Sequence, residues 1–263
     1  MLDPTRWIPP LAYLVAVAVY AQRMLSPTSV ARPGWGRWAM AATGVHLVQI
    51  AALAIERGRF PYASMWEALS VAVAVFALSY LVLERLARSD ALGAPFFAMA
   101  ALGTLASALH PEATRLPAHI QSGSFLVHVS LGVSGLALLT TSGLLSGAWL
   151  LQYRQLRSRK FTPLSRRAPD LATLERLSMV SSAIGTALMA VSAVLGALWT
   201  IQWQVPVSDV TAKTASVTLA ILWHLAIAGL RRGKGFSSRA TAWLSLAGIG
   251  PVVLVLWAGT HGI

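Results

Sequence analysis

The sequence contains no cysteine, which removes disulfides, thiol redox chemistry and thiolate metal ligands from consideration. Charge is scarce too: 11% of the 263 residues are charged, against roughly 25% in a soluble domain. Carboxylates are the rarest, nine Asp and Glu against 21 Lys and Arg. No nucleophile–base pair, phosphate-binding loop or intramembrane carboxylate cluster stands out, which argues against an ordinary hydrolase or pump.

What fills the space is apolar. Hydrophobic residues make up 56% of the chain, gathered in eight runs: Ile8–Gln22, Trp38–Ile55, Met65–Leu83, Ala91–Leu109, Phe125–Leu151, Leu177–Ile201, Thr214–Leu230 and Ala240–Gly259. A helix needs about 20 apolar residues to cross a ~30 Å hydrocarbon core. The expected fold is therefore all-α, a polytopic transmembrane bundle of about eight spans. One membrane domain is expected over residues 1–263, with spans 1–5 at 8–151, a basic inner loop at 152–176 and spans 6–8 at 177–259. The first run has its basic flank after it rather than before it, so it reads as a retained span and not a signal peptide. Glycines in span 5 (Gly132, Gly135, Gly143, Gly147) and small residues in span 6 (Gly185, Ala193, Gly196) point to close helix–helix approach.

The net charge of +12 is distributed by side. With the N-terminus outside, the inner segments carry 16 Lys and Arg and the outer segments only Arg6, Arg57, Arg59, Arg115 and Lys213. That is the positive-inside asymmetry, and it places both termini outside a bacterial-type inner (cytoplasmic) membrane. The basic balance thus reports topology and a lipid-bilayer environment. A nucleic-acid partner is not expected, since that would need the charge gathered into one patch.

Ionisable groups inside spans are costly and usually functional, which singles out the histidines. His46 lies nine residues after Arg37, about 13 Å along the helix from the inner edge. His224 lies seven residues before Arg231, about 10 Å from the same edge. The two imidazoles fall at one level, and neighbouring spans 2 and 7 would let them hold one metal ion or haem iron. His110, His119, His128 and His261 form a second layer on the outer side, about 15 Å away by the same rise. The alternative for each is a histidine that simply hydrogen-bonds a carbonyl or a neighbouring hydroxyl, Thr43 and Thr218 being available. Non-haem metal sites are less favoured because both spans lack carboxylates.

Span 2 continues into span 3 as His46-Leu-Val-Gln-Ile-Ala-Ala-Leu-Ala-Ile-Glu-Arg57-Gly-Arg59-Phe-Pro61-Tyr-Ala-Ser64-Met-Trp-Glu67-Ala-Leu, and span 5 opens Ser124-Phe-Leu-Val-His128-Val-Ser. With Leu174-Glu-Arg-Leu before span 6 and Ser237–Leu244 entering span 8, the ordered set resembles the cytochrome c assembly membrane proteins of the CcsA/HemX type. The resemblance implies haem handling: haem, b-type and non-covalently held, moved to the outer face and presented to apocytochrome c, with a membrane partner of the assembly system. It implies His46 and His224 as in-membrane haem ligands, and His128 and His261 as outer ones. His224 falls about one turn earlier than the family spacing, and His261 matches only loosely. Arg57, Arg59 and Arg115 suit haem propionates as bidentate cations. Glu67 is a candidate to orient a ligand histidine or, equally, to sit at a helix N-terminus. The family's tryptophan-rich haem platform is reduced here to Trp199, Trp203, Asp209 and Lys213, with Trp203 the remaining candidate haem contact. The departure points toward a delivery or accessory role more than a self-sufficient haem lyase. Two other readings stay open: a regulatory membrane protein of this fold that binds no haem, and a subunit of another membrane complex using the histidines for quinone or protons.

Overall fold

A computed structural model describes residues 4–25, 36–110, 122–159, 162, 167–232 and 236–260, with the side chains of 207, 209, 259 and 260 excepted. Every regular element among them is helical. A 3₁₀ turn at Pro4–Trp7 leads into α1 (Ile8–Leu25), followed by α2 (Gly36–Arg57), α3 (Met65–Ala87), α4 (Gly93–Leu109) and α5 (Gly123–Ser158). Then come α6 (Leu171–Gln202), α7 (Val207–Arg232), α8 (Ser238–Ala247) and α9 (Ile249–Thr260). The expected all-α polytopic bundle is what the chain adopts.

Seven helical stretches are long and apolar enough to cross a membrane, α8 and α9 acting together as the last. The exception among the eight expected spans is α4, whose 17 residues reach only about 26 Å. It packs between α1 and α3. The last span is broken at Gly248, whose N–H still bonds back to the Leu244 carbonyl. Pro251 lies just beyond and has no N–H for the carbonyl four residues earlier, so the helix kinks there. The inner connection is shorter than its apolar boundaries suggest, because α5 and α6 continue as helix into polar sequence at both ends. The run Gln152–Ser158 is built largely of good helix formers. Asp170 caps the start of α6, accepting from the Thr173 N–H.

The distribution of polarity is that of a protein in lipid. Val48, Ile55, Leu102, Val194, Leu198, Leu222 and Trp257 are exposed, while Thr43, His46, Thr104, Thr141, Ser142, Ser178, Ser192 and His224 are buried. In hydrocarbon every polar group must find its partner inside the bundle, and much of this set does so locally: Thr104 donates to Ala100 O at 2.8 Å and Thr141 to Ala137 O at 2.9 Å.

Two packing styles coexist. α1, α3 and α4 interdigitate aromatic rings (Tyr13, Tyr20, Phe76, Tyr80, Phe96 and Phe97) in one core with Ala residues between them. α5 and α6 instead pack backbone to backbone. A Cβ on Gly135 would lie 2.9 Å from Gly185 O, and one on Gly185 would lie 3.0 Å from Gly135 O. The expected close approach through small residues is present.

Helix ends sort into two groups. At one end of the bundle Arg23 pairs with Asp90, Arg167 donates to Arg23 O, and Ser89 donates to Arg167 O. At the other end Arg6 donates to His110 O, Gln49 donates to Thr5 O, and Glu67 meets Arg57 and Arg59. Each group holds only segments that the charge asymmetry assigned to one side.

Candidate functional site

His46 is fully buried on α2. Its Nδ1 lies 3.0 Å from the Tyr13 hydroxyl and its Nε2 lies 2.9 Å from Ser70 Oγ. A neutral imidazole donates at one nitrogen and accepts at the other, so two hydroxyls satisfy it completely. The Tyr13 ring also meets the imidazole edge-on. Helix α2 reaches α1 and α3, which supply these two partners.

His224 on α7 is only 2% exposed, yet just one of its nitrogens is used. Nδ1 lies 2.8 Å from Ala220 O, one turn back on the same helix. A carbonyl only accepts, so Nδ1 carries the proton and the lone pair resides on Nε2. That Nε2 is buried with no hydrogen-bond partner. It faces the kink of the last span, where a Cβ on Gly248 would stand 2.9 Å from it. Neighbouring Trp223 donates to Leu244 O at 3.0 Å, tying α7 to α8.

His128, near the start of α5, repeats the pattern. Its Nδ1 lies 2.7 Å from Ser192 O on α6, with Ser192 Oγ at 3.1 Å and also donating to His128 O at 2.8 Å. The ring fills the notch left by Gly196, whose Cβ would come within 2.5 Å of His128 Cε1. Nδ1 again holds the proton, and Nε2 keeps its lone pair.

The structure thus keeps the two in-membrane histidines in separate surroundings. α2 lies against α1 and α3, while α7 lies against α6, α8 and α9. The expected convergence on one centre is not what these contacts describe: both ring nitrogens of His46 are taken from α1 and α3, whereas His224 faces α8 and α9. His261 and Arg115 fall outside the described residues, as does His119.

The arginines of the basic-Gly-x-x-Pro stretch turn inward to Glu67. Arg57 donates to Oε1 at 2.8 Å; Arg59 donates to Oε2 at 2.9 Å and to Oε1 at 3.1 Å. Ala63 N–H adds a bond to Oε2 at 2.7 Å, and Ser64 Oγ accepts from Glu67 N–H at 3.1 Å. Ser64-x-x-Glu67 is therefore a variant capping box that starts α3, its carboxylate reaching the N–H before the cap residue. Of the two roles weighed for Glu67, the helix-terminus one is seen; its oxygens are occupied by cations and backbone, with no histidine among their partners. Trp203 ends α6 and is 40% exposed, whereas Trp199 is buried against Phe125 at 5.2 Å. Residues 203–206 alone join α6 to α7, so of the reduced tryptophan segment only Trp203 lies in the tight turn, with Trp199 in α6 and Asp209 and Lys213 in α7.

Residues 62–258, about three quarters of the chain, match the family described as "Cytochrome C assembly protein". The chain belongs to that family. It is also 26% identical over 146 residues to Protein HemX of Bacillus subtilis (strain 168), covering 54% of this chain and 52% of that protein. Against Protein HemX of Brevibacillus brevis it is 32% identical over 80 residues, 30% of this chain and 29% of that one. The chain thus matches about half or less of the length of these relatives. In this cytochrome c assembly protein, the family match takes in His128, His224 and the capping box. His46, Arg57 and Arg59 lie before it.

Set against haem, the donor set fits in part. A ligand imidazole characteristically donates its far N–H to a carbonyl, which fixes the tautomer and orients the ring. His224 and His128 both do this, and the buried, unpartnered Nε2 of His224 is what an axial ligand presents. His46 has no open nitrogen. Several contributors escaped the sequence reading: Tyr13, Ser70, Ser192 and the kink at Gly248. Only Pro251 near Gly248 was a signal; a hydroxyl on a neighbouring helix leaves none.

Proposed function

We propose that this cytochrome c assembly protein holds haem non-covalently within the bundle and delivers it toward apocytochrome c. His224 would hold the iron within the bundle through Nε2, and His128, near the start of α5, would hold haem separately toward the outer side. The observation that carries this reading is the buried Nε2 lone pair of His224, its Nδ1–H already committed to Ala220 O. Leaving a buried acceptor without a donor costs about 1–3 kcal/mol, which a ligand at that nitrogen would repay. When bound, haem would supply an iron that takes an imidazole nitrogen. This chain's residues orient the imidazoles through Ala220 O and Ser192 O, exclude water from Nε2 of His224, and keep lipid-facing surfaces apolar. Both termini are assigned outside the cytoplasmic membrane, which puts Arg57, Arg59, Trp203 and His128 at the delivery side. Arg57 and Arg59 then serve propionates only by sharing them with Glu67. The four-residue turn at Trp203 favours holding and passing haem over bond-forming lyase chemistry.

Absorption spectroscopy of the full chain purified in detergent and titrated with haemin tests this. A Soret band with low-spin features is expected, falling at least tenfold in affinity in His224→Ala. A preparation that stays spectrally unchanged with haemin, or a His224→Ala variant that binds like the wild type, overturns it.

A further inference from the structure

A cavity lies beside His46, with Ser70 in its wall. It holds about 50 Å³ and is lined by Gln49, Arg57, Ser70, Thr104, Ser107 and His110, among others. One wall is capped by the Trp66–His110 stack, with ring centroids 3.4 Å apart and planes 10° from parallel. A buried water needs roughly 10–15 Å³ and two to four polar partners, so a cavity of this size and lining has room for water. Ser70 belongs to both places: it lines the cavity and its Oγ lies 2.9 Å from His46 Nε2.

We infer that Ser70 is a releasable cap on His46 Nε2, which swings to water in this cavity and so lets His46 take a ligand from the α3–α4 side. The inference rests on the haem reading for the identity of that ligand, though not for the existence of the cap. Its physical basis is that Ser70, half-buried at the cavity wall, can trade the imidazole for water in the cavity, while the Nε2 it uncovers goes unmet until a ligand takes it, at the cost of one ordinary hydrogen bond. Tyr13 is the complementary positioning residue. Held at 3.0 Å from Nδ1, its hydroxyl keeps the ring aimed at Ser70, and the cap operates in the tautomer in which Nδ1–H donates to the Tyr13 oxygen and Ser70 donates to Nε2. His46 in this view is a capped ligand and His224 an open one, each served by different helices.

Hydrogen exchange at the imidazole C2 position, read residue by residue by mass spectrometry on the full chain in nanodiscs, tests the cap without haem. Ser70→Ala should speed exchange at His46 by about two- to tenfold, the range corresponding to one ordinary hydrogen bond, and leave His224 unchanged. An unchanged His46 rate overturns the cap. Haemin titration adds the ligand arm: Ser70→Ala should bind about two- to tenfold tighter, with the gain lost in the Ser70→Ala, His46→Ala double variant. Equal or weaker binding, or a gain that survives in the double variant, overturns the cap as a control on ligation. If no variant binds haemin, the haem reading falls while the exchange rates still decide the cap.

Discussion

In the half built from α1 to α4, aromatic rings and hydroxyls fill the space between helices, and the buried histidine is saturated by Tyr13 and Ser70. In the half built from α5 to α9, glycines bring backbones together, and the buried histidine meets a carbonyl and the bare surface of Gly248. The difference follows from what each packing style offers. Rings and hydroxyls carry donors that can reach an imidazole lone pair. Backbone-to-backbone packing exposes carbonyls, which accept only, so a lone pair there goes unmet.

The sharpest break of the first half is Glu67→Ala. Removing a carboxylate that is 8% exposed takes a shared charged acceptor from Arg57 and Arg59, at 16% and 18%, and a hydrogen bond to a charged group is worth about 1.5–3 kcal/mol. Thermal unfolding in detergent should show the largest drop of any single substitution here. A loss under about 1 kcal/mol would mean that the cluster is a solvated surface pair of the usual small value. The matching break of the second half is Gly135→Val, where the new side chain meets Gly185 O and Met189. Overpacking of this kind costs about 1–3 kcal/mol, and the helices must part to accommodate it.

A paired measurement bears directly on the two histidines. His46→Leu should cost about 2 kcal/mol, since Tyr13 and Ser70 each lose a hydrogen bond worth about 1 kcal/mol. His224→Leu should lie within about 1 kcal/mol of neutral in the haem-free chain, because the removed acceptor had no partner. Equal losses would erase the distinction. The smallest effect concerns Asp170, whose carboxyl is held below the ordinary Asp range by the Thr173 N–H and then by the Thr173 hydroxyl. A depressed folded-state value stabilises above the unfolded pKa of about 3.9 and is lost as pH falls through the lower folded value. Asp170→Asn, which keeps a competent N-cap, should remove that acid-side dependence and change little at neutral pH.

Much of the fold was legible along the chain. Seven of the eight apolar runs mark membrane-length helices, and the eighth, Ala91–Leu109, marks a helix that is only too short. Their ends were less legible. Apolarity stops at the hydrocarbon edge, whereas the i to i−4 ladder continues through residues such as Arg154 and Arg157. For the site, depth along a helix was readable but direction around it was not. His46 and His224 fall at one level by residue counting and yet turn to different neighbours.

Sequence alone decided that this chain enters lipid, how its charges divide between the two faces and which family pattern it carries, because those depend on composition and on order along one strand of residues. The tertiary structure decided which imidazole nitrogen is open, that Arg57 and Arg59 close on Glu67, and that the last span bends at Gly248. These are matters of angle and distance between helices far apart in the chain. A hydrogen bond is settled within a few tenths of an ångström, a scale that linear spacing cannot resolve.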